Sequence, residues 1–494
     1  MIGKSKYILL IILWLLPGAE ASSQTGKYII NNYNLMEELS LNGSIWSAVQ
    51  DTNGTMFFGC DYGVVAYDGN FWMDVSRKSG TIRSLYKSNS NRVYYGSMND
   101  FGRIDHDVLQ GYHLNSLSGL LPDSVKNFGE IWSIAEHEGK IFFQSSTRIF
   151  VMNGGDFQVY PVDDSYHRAF VAHGKYYVNQ KGTGLTVFAG GGFEPVDGGQ
   201  VFSDKTISVA IPQPGGGVLI CTRNHGIFRF HPESGLAEEA FTEAPETISY
   251  LTDNNLYHAL MLPNGQLAFS TLYGGTIVTD RDGKMVNMLN RRHGLQDNVH
   301  YYLYFTGDLN LWMCTSNGIS TWAINSPFIY WDYTSGIDGI VLDIQKYRDR
   351  IFVGSLTGLY AINSDFSTVP GRGNQVAHLL DTEVWSLLPV NFGKNEILLL
   401  GTGRGLYTLH NETISRVHPG GIVLKMLRLK NHPEIILSFK NASPSFSSWV
   451  KGSPPYKELT TSLWLEYSEF VTLIILLVVV SYQYFLPEDV LNTV

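Results

Sequence analysis

Short apolar runs separated by polar, glycine-bearing turns recur along this chain. Met56–Asp68 reads MFFGCDYGVVAYD: an apolar run, a turn, and a second apolar run. Similar stretches begin at Val93 (VYYGSMNDFGRID), Ile141 (IFFQSSTRIFVM), Tyr176 (YYVNQKGTGLTVF) and Val218 (VLICTRNHGIFRF). They continue at Leu267 (LAFSTLYGGTIVTD), Leu311 (LWMCTSNGISTW), Ile351 (IFVGSLTGLYAI), Ile397 (ILLLGTGRGLYTL) and Glu434 (EIILSFKN). From Phe57 to Ile436 the mean step is about 42 residues, the period of propeller blades.

Each copy has the same internal order. A strand such as IWSAVQ or IWSIAE leads, and a polar turn such as Asp51-Thr52-Asn53-Gly54 or Pro263-Asn264-Gly265 follows. Then come the apolar pair, a Gly-bearing turn, a third strand and a weaker fourth that often ends in an aromatic. Four short strands joined by tight turns form an up-and-down meander. Such a sheet has two faces to bury, and radial stacking around an axis buries both. The pattern therefore predicts an all-β chain. A seven-bladed β-propeller of four-stranded antiparallel blades is expected over 26–327. An incomplete second propeller of three blades is expected over 328–441. Three blades cannot close, so that part should expose sheet edges and fold less cooperatively.

Composition agrees with many short strands. Of 494 residues, 13% are aromatic, 50 are Gly and only 16% are charged. A net charge of −10 leaves no basic footprint and argues against nucleic-acid binding. Residues 1–21 read as a signal peptide: Lys4 and Lys6, an apolar stretch over Tyr7–Leu16, and the small-x-small site Ala19-Glu20-Ala21. The mature chain is then expected in the periplasm. Cys60, Cys221 and Cys314 lie in similar contexts (FFGC, LICT, WMCT), at the end of the same strand in different repeats. They read as buried free thiols rather than a disulfide framework or metal site.

The first strand of each blade lies nearest the axis. Counting eight residues back from each first-turn Gly or its equivalent selects one position per blade: Trp46, Arg83, Trp132, His167, Ser208, Tyr257 and Tyr301. At the fourth, a shorter turn lets Arg168 replace His167. Aromatic faces with Arg and His bind sugars by stacking and hydrogen bonding, so these residues are candidates for a ligand-binding channel mouth. The competing reading packs the tryptophans between blades. Asp280-Arg281-Asp282-Gly283 is a hairpin turn rather than a calcium loop, because the rest of the loop is missing. No H-E-x-x-H, P-loop or G-x-S-x-G elbow occurs, so no catalytic, cofactor or metal residues are assigned.

IWSAVQDTNGTMFFGCDYGVVAYDGNFW, TIRSLYKSNSNRVYYGSMNDFGRI and IWSIAEHEGKIFFQS resemble a known periplasmic sensor region, as do LYGGTIVTDRDGKMVNMLNRRHGLQDNVH and LWMCTSNGISTW. The family is the two-component-regulator propeller proteins of Bacteroidetes-type bacteria, which include triple-tyrosine-motif transcriptional regulators and hybrid sensor kinases. The resemblance runs in register from about Gly26 to Lys440. It implies an extracytoplasmic, non-catalytic sensing region of a membrane-spanning signal-transduction protein. It also implies a glycan or other small ligand, homodimerisation, and an output domain that this chain does not carry. Two alternatives are a secreted propeller lyase or glycosidase acting on polysaccharide, and an exported protein-interaction scaffold.

The family pattern stops after NHPEIILSFKN. Residues 442–494 have a different texture, as expected of a frameshifted or misjoined end. The alternative is a short anchored variant, with a membrane segment over 470–486 (FVTLIILLVVVSYQYFL). No Lys or Arg follows that segment, which argues against an anchor with its end in the cytoplasm.

Overall fold

The computed structural model describes residues 27–448, except 77–78, 110, 163–164, 325, 327, 364–375, 393–394, 420, 429–434 and 441–442. The expected signal peptide and apolar tail lie outside the described residues. The chain divides into two compact units, one running to Trp331 and one starting at Asp332.

The first unit contains seven four-stranded antiparallel sheets. Sheet 1 is Ile45–Gln50, Met56–Cys60, Gly63–Tyr67 and Trp72–Asp74, in sequence order from the inside outward. Sheets 2 to 6 repeat this meander, with innermost strands Ile82–Lys87, Ile131–His137, Tyr166–Ala172, Ile207–Pro212 and Leu256–Met261. Sheet 7 departs from it. Its inner three strands are His300–Phe305, Asn310–Thr315 and Ile319–Ala323, but its outer strand is Ile30–Tyr33, from the start of the chain. Each innermost strand touches the next, and His300–Phe305 touches Ile45–Gln50, so the circuit closes.

The paired aromatics of the repeat now have a physical reason. Successive residues of a strand point to opposite faces, so each pair serves both faces of its sheet. Phe57 packs with Ile82, Leu85 and Tyr95 of sheet 2, while Phe58 packs with Trp312 and Cys314 of sheet 7. Phe143 faces Tyr94 and Phe101 of sheet 2, and Phe142 faces Tyr166 and Tyr176 of sheet 4. Seven apolar clusters result, each shared by two successive sheets.

The sheets approach closely where the second strand carries a small residue. A Cβ on Gly59 would lie 2.7 Å from Ile82 O, and one on Gly96 would lie 2.5 Å from Ile131 Cγ2. Cys221 and Cys314 occupy the matching slots of sheets 5 and 7, opposite Val209 and Tyr302. Cys60 pairs with Ile45, one residue further along, so the three thiols do not share one register position. All three are free and buried.

The second unit has two four-stranded sheets, beginning at Val341–Tyr347 and Val384–Phe392, and a three-stranded one of Val423–Arg428, Ile435–Lys440 and Ser443–Ser448. Gly401–Gly405 is a strand-to-strand turn, as its sequence indicates. A helix at Pro245–Asp253, between sheets 5 and 6, has no counterpart in the sequence expectation. Among the described residues no helix is long and apolar enough to cross a membrane.

Candidate functional site

Each innermost strand of the ring begins with a β-bulge. In sheet 1, Ile45 pairs with Cys60 and Ser47 with Gly59, which leaves Trp46 unmatched. The same shift leaves Arg83, Trp132, Ser208, Tyr257 and Tyr301 unmatched in sheets 2, 3, 5, 6 and 7. A bulged residue leaves the ladder and its side chain is re-aimed. In sheet 4 the irregularity spans His167 and Arg168 opposite Asn179.

Trp46, Arg83, Trp132, Ser208, Tyr257 and Tyr301 line one cavity of about 160 Å³, the neck of the ring. His167 is not among its lining residues, and Arg168 is. The His173-Gly174 turn has the same length as Glu138-Gly139 of sheet 3, so turn length does not account for this; Arg168 lines the cavity from one residue further along its strand, as Ser133 and Val209 do in sheets 3 and 5. His167 instead places Nδ1 3.3 Å from Lys205 O.

Most of these side chains lie against one another across sheet boundaries. Tyr257 meets Tyr301 edge-on at 5.5 Å, and Tyr301 stacks on Trp46 at 4.1 Å. The Arg83 guanidinium lies 3.6 Å from the Trp46 ring centroid and 5.4 Å from that of Trp132. Trp46 Nε1 donates to Asp61 Oδ1 (2.6 Å), and Arg83 is paired with Glu130 at 2.8 Å. Ser208 is buried and donates to Leu256 O of the next sheet (2.7 Å). Inter-blade packing, the competing reading of the tryptophans, thus describes Trp46 well. Trp132 is less enclosed: Nε1 donates to Ser146 Oγ at 3.1 Å.

Arg168 spans two sheet boundaries, donating Nε–H to Ser208 O (3.1 Å) and Nη1–H to Trp132 O (2.9 Å). Beneath it, His258 accepts the Leu303 amide at Nδ1 (3.3 Å) and lies 4.1 Å from the Tyr302 ring. Burial, with Arg168 adding to it, holds His258 down to about 3, so it is neutral with its proton on Nε2. Burial pushes Tyr302 up to about 12.

His258 and Tyr302 also line a second cavity of about 660 Å³, towards the other end of the inner strands. Leu260, Tyr304, Phe305 and Arg281 are among its walls. Its volume is in the usual range for small-molecule pockets, roughly 300–1,000 Å³, whereas the neck is below it. Sequence reasoning missed this cavity, because its walls are apolar inner-strand residues and turn residues with no distinctive pattern. Among the described residues no Asp or Glu lines either cavity. Asp280 Oδ1 accepts the amides of Asp282 and Lys284, as a hairpin turn requires. Among the described residues no group of three or more His, Cys, Asp or Glu is placed to hold a metal ion.

The fold has solved counterparts. The chain is similar to the extracellular domain of BT3049 from B. thetaiotaomicron, assigned to the hybrid two component systems: TM-score 0.65 and 14% identity, over 89% of this chain and 62% of that one. The chain therefore spans about three-fifths of that domain's length. The extracellular domain of BT4673 from the same organism, also assigned to those systems, matches with TM-score 0.47 and 13% identity, over 86% of this chain and 58% of that one. The WD40 β-propeller domain of Doa1 gives TM-score 0.46 and 11% identity, over 60% of this chain and 95% of that one. At 14% identity, the likeness to the BT3049 domain is one of fold. No protein-family model matches the sequence, and no curated protein does.

Proposed function

We propose that this chain is the extracytoplasmic, ligand-sensing propeller region of a signal-transduction protein, and that it binds rather than transforms its ligand. The carrying observation is the set of bulges, which turns a side chain inward at the same point of sheet after sheet. A larger cavity of ligand size adjoins the neck. The lack of a carboxylate pair in either lining favours binding over a glycosidase, which needs two such groups. In this reading the chain works in the periplasm, residues 332–448 open a second propeller, and the output module belongs to a part of the protein beyond the described residues.

The test is a thermal-shift screen of the purified chain against glycan fragments. Each hit is repeated on Trp132→Ala and Arg83→Ala, and on Phe71→Ala and Leu236→Ala, exposed at or beside outer strands. Selective loss of binding in the first pair is expected. Equal loss in both pairs removes the channel as the ligand site, and release of cleaved products from polysaccharide removes the non-catalytic reading.

A further inference from the structure

The neck holds a positive charge that no acid balances. Arg83, at the rim, is neutralised by Glu130. Arg168 is not: its two hydrogen bonds go to the carbonyls of Ser208 and Trp132. A guanidinium has five N–H donors, so three remain, and they meet no protein acceptor among the described residues. Arg168 lines the cavity, which gives those donors the lumen to face. The groups around it are Tyr257, Tyr302, His258 and a second cation, Arg223. Arg223 lies over the Tyr257 ring, its guanidinium carbon 5.3 Å from the centroid, and its buried Nε has no hydrogen-bond partner. Burial first, and Arg223 after it, lower the pKa of Arg168, although Tyr257 and Tyr302 oppose the shift. Enclosed cations are normally paired. Here Arg168, in the cavity lining, and Arg223, over the Tyr257 ring, both have unused donors.

We propose that the neck is an oxyanion site, in which Arg168 takes a carboxylate or sulfate group of the ligand and Arg223 adds to the field. A cavity of about 160 Å³ admits one such group rather than a whole sugar chain, so the remainder of the ligand lies outside the neck. The planar fork of arginine suits two-point binding of either group. If the ligand is a glycan, it is then a uronate-bearing or sulfated one. That last step rests on the sensing reading, whereas binding of the anion itself does not.

The experiment is calorimetry and thermal shift on the full chain with sodium glucuronate, sodium sulfate and, as the neutral counterpart, glucose. Binding of one or both anions in preference to glucose is expected, and which anion binds identifies the group. Arg168→Gln should weaken that binding about tenfold or more. Arg168→Lys, which keeps the charge but not the fork, should fall between the two. Arg229→Gln, at an exposed position of the third strand of sheet 5, should match the unmodified chain. If Arg168→Gln does not fold, the comparison of glucuronate with glucose on the unmodified chain decides alone. Failure of both anions to bind that chain overturns the proposal, as does unchanged binding in a folded Arg168→Gln. Binding of neutral sugars without either anion overturns the anion site and leaves the sensing reading intact.

Discussion

Lowering the pH from 7 to 5 should destabilise the first ring through His300. This side chain is fully buried at the start of the inner strand of sheet 7. Its Nδ1 lies 2.7 Å from Thr276 Oγ1 and its Nε2 lies 3.0 Å from Asp297 O. A neutral ring satisfies both contacts, with Nε2 donating to the carbonyl and Nδ1 accepting from the hydroxyl. Burial holds the folded pKa down to about 4, although Asp297 opposes the shift. In the unfolded chain the ordinary value is about 6.5. As pH falls below 6.5 the unfolded state takes up a proton that the folded state refuses. The stabilisation is therefore complete above pH 6.5 and is lost as pH falls towards 4. For these two values the loss by pH 5 is about 2 kcal/mol. For a ring of this size, at roughly 1.5–2 °C per kcal/mol, this is a drop of about 3 °C in Tm. Thermal melts at pH 7, 6 and 5 should show the fall, and His300→Gln, which keeps a donor and an acceptor, should flatten it. His293, held down to about 4 by burial and by Arg292, and His258, held down to about 3, add their own shares in both proteins, so the slope is reduced rather than abolished. A variant whose Tm falls with pH in parallel with the unmodified chain would refute the argument.

Three further outcomes follow from the packing. Tyr33 on the closing strand lies within 6 Å of the rings of Tyr67, Trp72 and Trp312, so Tyr33→Ala should cost about 2 kcal/mol in urea unfolding. The exposed Phe71→Ala should cost under about 0.5 kcal/mol, and equal costs would deny the closing strand its role. Gly96→Ala places a methyl 2.5 Å from Ser84 Oγ and Ile131 Cγ2 and should cost about 1–3 kcal/mol, whereas Gly119→Ala meets open space; calorimetry separates them. Burial pushes all three thiols up, so a thiol reagent should label none in the folded chain and all three in denaturant; rapid native labelling would contradict their burial.

Much of this architecture was legible because the repeat encodes local rules. The apolar pair, the Gly-bearing turn and the lead strand each have a fixed offset. Counting back from a turn therefore found the bulged residue in six sheets of the ring. In the fourth, Arg168, the alternative to His167, lines the cavity from one residue further along the strand. The closing strand was not legible. INNY has no alternation to read, and its partners lie far along the chain, Ser320 opposite Asn32 being 288 residues away. The sequence pattern supplied residue types at the neck but not their contacts. Whether Trp46 offers its ring to a ligand or to Tyr301 and Arg83 is settled only by the bulge geometry of neighbouring sheets.

The closing strand also sets the order of events in folding. Sheets 1 to 6 pair strands that are neighbours in sequence, so each hairpin can form as soon as its own residues are free to fold. Ile30–Tyr33 is available first and is needed last, because it has no ladder partner until Ile319–Ala323 is in place. Until then the third strand of sheet 7 presents an unpaired edge, which a second copy's Ile30–Tyr33 fits as well as the chain's own. At high concentration during refolding, strand-exchanged dimers are thus the characteristic by-product of this ring, and dilution is the remedy.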